Sequence, residues 1–114
     1  MVREDNVARL RTKLVLQGAN IAFTPGAEAT LARQGVLVVP DFIANAGGVI
    51  CAAMEYRGAT RTQAFDAIAE KIRANTAAVL RESAERNILP RQAATDLAVR
   101  QVRRAMGRRR FGIL

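Results

Sequence analysis

The sequence predicts an α/β fold, with short parallel strands in its first half and helices in its second. Two short apolar runs, at 14–17 and 36–39, lack polar alternation, which is typical of strands covered on both faces. A helical stretch separates them, and the order strand, helix, strand implies parallel pairing through a right-handed crossover. After residue 58 the apolar residues keep helical spacing. The pattern indicates a partial Rossmann-like, doubly wound domain followed by C-terminal helices.

The first half has clear helix boundaries. Residues 3–12 are mostly charged and are expected to form a short helix or a frayed lead-in. Thr24 can cap the N-terminus of the helix between the strands, and Pro25 suits its first position. This helix is predicted to reach about Gln34 and to end at Gly35.

Three helices are predicted after the second strand. The first runs from Gly47 to about Arg57 and stops at Gly58. Thr60 and Gln63 have capping-box spacing, which begins a long helix that reaches about Glu85. The last helix is predicted at 91–106, with Gly107 interrupting it. The positions predicted to face inward in the two long helices are Phe65, Ile68, Ile72, Val79, Leu80, Ala94, Leu97, Ala98, Val102, Ala105 and Met106.

Two strands are too few for a stable doubly wound sheet. Further strands are therefore expected outside this chain, or copies of the chain are expected to associate and cover the sheet. The exposed strand edge offers one route to self-association.

The net charge of +8 lies mainly at the C-terminal end, which carries Arg100, Arg103, Arg104, Arg108, Arg109 and Arg110. This cluster could bind nucleic acid or another polyanion. Phe111 is the single aromatic residue among these arginines, so base stacking has little support. A solvated basic helix end, or contact with an acidic surface, is favoured over nucleic-acid binding.

Composition argues against several other classes. The chain has no histidine and one cysteine, which argues against a protein-ligated zinc site and against a disulfide. No apolar run approaches the roughly 20 residues that span a bilayer. The N-terminus lacks the apolar segment of a signal peptide. The chain is therefore expected to be cytoplasmic, without a metal or a membrane partner.

Two amides follow the predicted strands and are the strongest candidate site residues. Asn20 ends the first strand and Asn45 lies just past the second, where ligands of parallel sheets bind. An amide side chain can hydrogen-bond to a carboxamide or a ribose hydroxyl. Because Gly47 and Gly48 have no Cβ, the backbone there could lie close to such a ligand. On residue type alone, the favoured interpretation is that all four are ordinary turn residues.

Other polar residues near this stretch have structural interpretations. Glu28 lies in the first turn of its helix, where its negative charge interacts favourably with the helix dipole. Asp41 and Glu55 are expected to make a structural hydrogen bond or ion pair. Cys51 has no histidine or second cysteine to support a nucleophile, so a small buried hydrophobic role is predicted.

The two amide turns resemble the C-terminal segment of the glutamate/leucine/phenylalanine/valine dehydrogenase family. The matching residues are KLVLQGAN at 13–20, TPGAE at 24–28 and GVLVVPDFIANAGGV at 35–49. The resemblance implies an enzyme that oxidatively deaminates an L-amino acid to a 2-oxo acid, with NAD or NADP taking the hydride. It also implies a homo-oligomer.

The resemblance assigns roles to six residues. Asn20 and Asn45 would contact the ribose or carboxamide region of the nicotinamide, beside the close turn of Gly47 and Gly48. Val49 and Ala52 would line the pocket for the substrate side chain. Glutamate-specific members carry serine where Ala52 stands, so the apolar wall mildly favours an apolar amino acid.

The resemblance also divides the chain. Residues 1–58 would be the C-terminal part of the dinucleotide-binding domain, 59–106 a helical extension and 107–114 a basic tail. The N-terminal catalytic domain and the Gly-rich loop are absent from these residues, so no catalytic residue is expected here and the chain alone is expected to be inactive. The alternative is a non-catalytic module that self-associates or binds polyanions through its arginines.

Overall fold

The described residues form one α/β unit of eight elements, and the α/β prediction is confirmed. The computed structural model describes the backbone of residues 1–112 and the side chains of residues 1–108. In chain order the elements are a 3-10 turn (Val7–Arg9), β1 (Leu14–Leu16), α1 (Pro25–Arg33), β2 (Leu37–Val39), α2 (Asp41–Ala44), α3 (Gly47–Tyr56), α4 (Arg61–Arg86) and α5 (Pro90–Gly112). The short α2 was not predicted; it begins directly after Pro40, whose fixed φ suits a helix start.

The two strands pair in parallel, as predicted. Leu14 lies opposite Leu37, and Leu16 lies opposite Val39. A bridge between Val2 and Phe23 lies outside both strands. Because the strands are parallel, both chain segments that leave their carboxyl ends emerge at the same edge of the sheet.

The predicted boundaries of α1 have the expected causes. The Thr24 hydroxyl accepts a hydrogen bond from the Ala27 N–H at 3.2 Å, and Pro25 occupies the first helical position. Gly35 ends the turn with φ of +77°, a conformation that glycine adopts without a Cβ penalty.

Two apolar clusters hold the elements together, one on each face of β2. Ala27, Leu31, Val7 and Val38 form the cluster beneath α1. The residues of the second cluster, which joins β2 and α2 to the long helices, are Val39, Ile43, Val79, Ala93 and Ala94. The adjacent side chains of β2 thus point into different clusters, which fixes this strand between two helical layers.

The long helices begin and end as local chemistry requires. The capping box is present: the Thr60 hydroxyl accepts from the Gln63 N–H, and the Gln63 side chain accepts from the Thr60 N–H. Asn87 ends α4 in the left-handed conformation, with φ of 52°. The Ser83 hydroxyl donates to the Ile88 carbonyl at 2.6 Å, which ties the turn to α4 before α5 begins.

The prediction that both faces of the first strand are covered was wrong for the described residues. Leu14 is 49% exposed and Leu16 is 63% exposed, and Leu37 beside them is 43% exposed. The long helices pack on Val39 at the end of β2 but leave this apolar row uncovered. An apolar run indicates what a strand could bury, whereas the covering element must come from elsewhere.

Part of the predicted inward face of the long helices was also wrong. Phe65 is 63% exposed, Val102 is 58% exposed and Met106 is 63% exposed; Ala98 and Ala105 are exposed as well. Helical spacing identifies an apolar face but not whether this chain supplies a partner for it. The prediction holds for Val79 and Ala94, which are buried.

The last helix does not stop at Gly107 as predicted but continues to Gly112. A glycine inside a helix costs only about 1 kcal/mol relative to alanine, and arginines on either side are good helix formers. Residues 113 and 114 of the predicted tail, and the side chains of Arg109, Arg110 and Phe111, lie outside the described residues. Among the described helices, none combines the length and apolar character of a membrane span.

Leu31→Ala should destabilise the chain by about 2–5 kcal/mol, because Leu31 is fully buried on the face of α1 that packs against the sheet. Leu16→Ala is the matched control, since Leu16 is mostly exposed, and should cost less than about 1 kcal/mol. Urea unfolding of both variants measures the difference. Equal losses would contradict the assignment of the core to the α1 face.

Candidate functional site

The two amides predicted from the sequence meet in the structure. Asn20 follows β1 and Asn45 follows α2, so both lie beyond the carboxyl ends of the parallel strands. The Asn45 Nδ2 group donates to the Asn20 Oδ1 atom at 2.7 Å, across 25 residues of sequence. This side-chain hydrogen bond therefore joins the two chain segments that leave the strands.

The amide pair keeps unused hydrogen-bonding capacity. Asn20 is exposed and Asn45 is half-buried. In the described part of the chain, the Asn45 Oδ1 atom and the Asn20 Nδ2 group have no further hydrogen-bond partner. One acceptor and one donor therefore stand side by side at the surface, which is the pattern that complements a carboxamide.

The two glycines beside this pair have different surroundings. A Cβ at Gly47 would meet the Ile68 Cγ2 atom of α4 at 3.6 Å, whereas a Cβ at Gly48 would meet nothing within 4 Å. Gly47 is thus placed against α4. The fold gives no steric reason for glycine at 48, where alanine would favour the helix.

The two residues predicted to line a substrate pocket lie on an open face of α3. Val49 is 76% exposed, and Ala52 is exposed too. The described residues place no second wall opposite them. Their role in a pocket stays a prediction.

A buried carboxylate, Asp41, connects the segments that carry the amides. Its Oδ2 atom accepts from the Ile21 N–H at 2.8 Å, and its Oδ1 atom accepts from its neighbour Phe42 at 2.9 Å and from Arg91 Nη1 at 3.1 Å. Burial opposes ionisation, but the two backbone donors and the Arg91 guanidinium outweigh it and hold the pKa of Asp41 below its usual value. The structural role predicted for Asp41 is confirmed.

Arg91 belongs to a polar cluster with Gln17, Glu28 and Asp41 that the sequence did not predict. Its Nε and Nη2 groups reach the Glu28 carboxylate at distances from 2.7 to 2.9 Å, and Nη2 also donates to Gln17 Oε1 at 3.1 Å. The Gln17 Nε2 group donates back to Glu28 at 2.8 Å. The hydrogen bonds to Glu28 raise the pKa of Arg91, although burial opposes this.

One signal in the sequence could have revealed this cluster: the polar residue Gln17 directly continues the apolar run of β1. In the structure Gln17 is only 1% exposed, and Glu28 in α1 is 6% exposed. A buried amide or carboxylate needs a partner. Nothing local indicates that the partner is Arg91, which lies 63 residues beyond Glu28.

Cys51 and Glu55 form a pair on α3 that stands apart from the amides. Cys51 is half-buried, and its Sγ atom donates to Glu55 Oε1 at 3.8 Å, one helical turn away. This weak hydrogen bond is a structural contact of the kind predicted for Glu55.

The basic end of α5 is partly committed to ion pairs. Arg100 makes two hydrogen bonds to the Glu82 carboxylate, at 2.9 and 2.8 Å. Arg86 bridges Glu82 and Asp96, at 2.9 Å to each. The hydrogen bond from Arg100, with help from Arg86 and against burial, lowers the pKa of Glu82 to about 2. Arg103, Arg104 and Arg108 are exposed.

Within the described residues, no group of histidine, cysteine, aspartate and glutamate side chains could hold a metal ion.

Comparison with known proteins finds a family that matches nearly the whole chain. A family model described as Glutamate/Leucine/Phenylalanine/Valine dehydrogenase matches residues 1–110. The glutamate dehydrogenase of Aeropyrum pernix is 36% identical over 117 residues, which is 93% of this chain and 28% of that protein. The valine dehydrogenase of Streptomyces albus is 37% identical over 112 residues, 95% of this chain and 30% of that protein.

Other relatives match in part or in fold alone. The NADP(+)-dependent glutamate dehydrogenase of Pyrobaculum calidifontis is 57% identical over 56 residues, 49% of this chain and 13% of its own length. The L-tryptophan dehydrogenase structure from Nostoc punctiforme superposes with a TM-score of 0.80 at 24% identity, over 89% of this chain and 31% of that one. The chain therefore spans less than a third of these relatives.

Asp41→Asn should remove a pH-dependent part of the stability. The folded-state pKa of Asp41 is lowered, so its charged form stabilises the fold above about pH 4, and this contribution is lost as pH falls through that lowered value. The variant should be less stable near about pH 6 and should lose less stability than wild type on acidification below about pH 4.

Urea midpoints across this pH range provide the measurement. Asp66→Asn is the control, because Asp66 is exposed on α4, and it should keep the wild-type pH profile. Parallel profiles for wild type and Asp41→Asn would contradict the role given to Asp41.

Proposed function

The chain belongs to the glutamate/leucine/phenylalanine/valine dehydrogenase family, and from that membership we propose that it forms the C-terminal part of an NAD(P)-dependent amino-acid dehydrogenase. In this proposal the chain supplies the nicotinamide side of the cleft. The whole enzyme oxidatively deaminates an L-amino acid to a 2-oxo acid.

One observation carries the proposal: the contact between Asn20 and Asn45, at 2.7 Å, beyond the carboxyl ends of two parallel strands. Ligands of open parallel sheets bind at that edge. The amides together offer an acceptor and a donor, which fit a carboxamide, and the open position at Gly48 leaves room for a ring or ribose to lie close. These residues therefore fit a nicotinamide.

The contribution of this chain is orientation. The bound dinucleotide supplies the hydride acceptor. Asn20 and Asn45 fix each other, and their remaining donor and acceptor would hold the carboxamide and so orient the nicotinamide ring. Because neither amide of the pair is ionisable, the hydrogen bond between them does not itself titrate.

Val49 and Ala52 form the substrate-facing wall in this proposal, and both are apolar. They favour an amino acid with an apolar side chain over glutamate. Relatives named glutamate dehydrogenase and valine dehydrogenase match with nearly equal identity, so overall similarity does not choose between these substrates.

The proposal includes the organisation of the whole enzyme. Residues 1–58 complete the dinucleotide-binding domain, 59–106 form the helical extension and 107–114 a basic end. The chain alone is inactive in this proposal, because the residues that perform the chemistry lie in another part of the enzyme. The enzyme is a cytoplasmic homo-oligomer in this proposal. The free thiol of Cys51 is compatible with a reducing compartment.

Polyanion binding by α5 has weaker support. The ion pair with Glu82 occupies Arg100, while Arg103, Arg104 and Arg108 remain available. A salt-dependent shift of DNA in a gel, lost on truncation after Gly107, would favour this alternative.

The first test is the DNA that precedes codon 1. The proposal expects an in-frame coding region with a Gly-rich turn between a strand and a helix, and a lysine-bearing catalytic domain. An upstream frame that lacks both would refute the dehydrogenase proposal for this gene product.

Asn45→Ala in the full-length enzyme should lower kcat/KM for the dinucleotide by about 10- to 100-fold, because one bond of the carboxamide and the partner of Asn20 are both lost. Gln101→Ala, which removes an amide from an exposed position on α5, is the matched control and should leave kinetics unchanged. Initial rates at varied dinucleotide concentration provide the measurement. If Asn45→Ala behaved like the control, Asn45 would not belong to the site.

Ala52→Ser in the full-length enzyme should raise the activity with glutamate relative to valine, because the hydroxyl offers a donor to a side-chain carboxylate. The ratio of kcat/KM values for the two substrates measures the effect. Wild-type preference for glutamate would contradict the substrate wall assigned to Ala52.

A further inference from the structure

We propose that Arg91 is a positioning residue for the Asn20–Asn45 pair, acting through Asp41. Arg91 lies at the start of α5, in the helical second half of the chain, and donates its hydrogen bonds to Glu28, Asp41 and Gln17 rather than to either amide. The inference rests on the proposed function only for what the amide pair binds. The link from Arg91 to the pair follows from contacts within this chain.

The first step of the link is that Asp41 holds both amide segments. Its Oδ2 atom accepts from the N–H of Ile21, the residue after Asn20, at 2.8 Å. Its backbone carbonyl accepts from the N–H of Asn45 at 2.8 Å. One residue thus sets the separation of the two turns whose side chains meet.

The second step is that the turn at Ile21 needs this support. Ile21 has φ of +51°, in the left-handed region that β-branched residues rarely adopt. Its side chain is 70% exposed, so core packing does not hold it there. The hydrogen bond to Asp41 is the tether of this strained residue, and Asn20 immediately precedes it.

The third step is that Arg91 fixes the Asp41 carboxylate. Nη1 of Arg91 donates to Asp41 Oδ1 at 3.1 Å, while Nε and Nη2 are held by Glu28. The guanidinium also lies over the Phe42 ring, 5.7 Å from its centroid. A planar fork can serve both carboxylates at once, whereas a lysine ammonium reaches them as a point charge.

Nuclear magnetic resonance of this chain, without dinucleotide, tests the link. Arg91→Met should shift the Asn45 Nδ2 amide signals and speed hydrogen exchange of the Ile21 N–H by on the order of three- to tenfold. Arg91→Lys should give an intermediate result, because it keeps the charge but loses the fork. The control is Arg86→Met, which also removes an arginine with two carboxylate partners, but these are Glu82 and Asp96 rather than Asp41.

The outcomes separate the two proposals. Unchanged Asn45 signals and Ile21 exchange in a folded Arg91→Met chain would overturn the role of Arg91. If that variant does not fold, the same two signals in Arg91→Lys decide, and wild-type values there would overturn it equally. If the signals change as expected but Asn45→Ala leaves the kinetics of the full enzyme intact, the proposed function fails while the positioning link stands.

Discussion

The ion pair between Arg91 and Glu28 is the contact on which the arrangement of this chain depends. It joins α5 to α1 across 63 residues, and the same guanidinium reaches Asp41 across 50. Both carboxylates are nearly buried. Removing the arginine would leave two desolvated carboxylates without a counter-ion, with only Gln17 and the backbone N–H groups of Ile21 and Phe42 still donating to them. Losing one partner of a fully buried ion pair typically costs about 3–5 kcal/mol. The net stabilisation relative to apolar side chains at the same positions is smaller. The cluster therefore fixes the geometry of the chain more than it adds to its stability.

That geometry places the second half of the chain against the first. The apolar contacts of Val79, Ala93 and Ala94 with Val39 would tolerate some sliding, because dispersion contacts have little directionality. A guanidinium with five directed donors does not tolerate it. The polar cluster therefore sets the position of α5, and the apolar cluster supplies most of the burial.

The sequence predicted what depends on neighbours along the chain. Strand and helix positions, the caps at Thr24 and Thr60 and the proximity of Asn20 to Asn45 follow from local spacing and from the rule that parallel strands end at one edge. It did not predict what depends on distant residues. The partner of Gln17 and Glu28 was missed, and the apolar faces at Leu16 and Val102 were assigned cover that the described residues do not provide.

The left-handed Ile21 shows how such a site constrains the choice of residue. Its backbone conformation costs about 1–3 kcal/mol for a residue with a Cβ branch, and glycine or asparagine would adopt it more readily. A sequence selected for stability alone would have little reason to retain isoleucine at an exposed turn. Once the turn has formed, however, the branched side chain of Ile21 allows fewer backbone conformations than glycine or asparagine would. The turn beside Asn20 thus has low conformational entropy at the expense of local stability. This edge of the sheet should therefore be among the first parts of the chain to unfold locally.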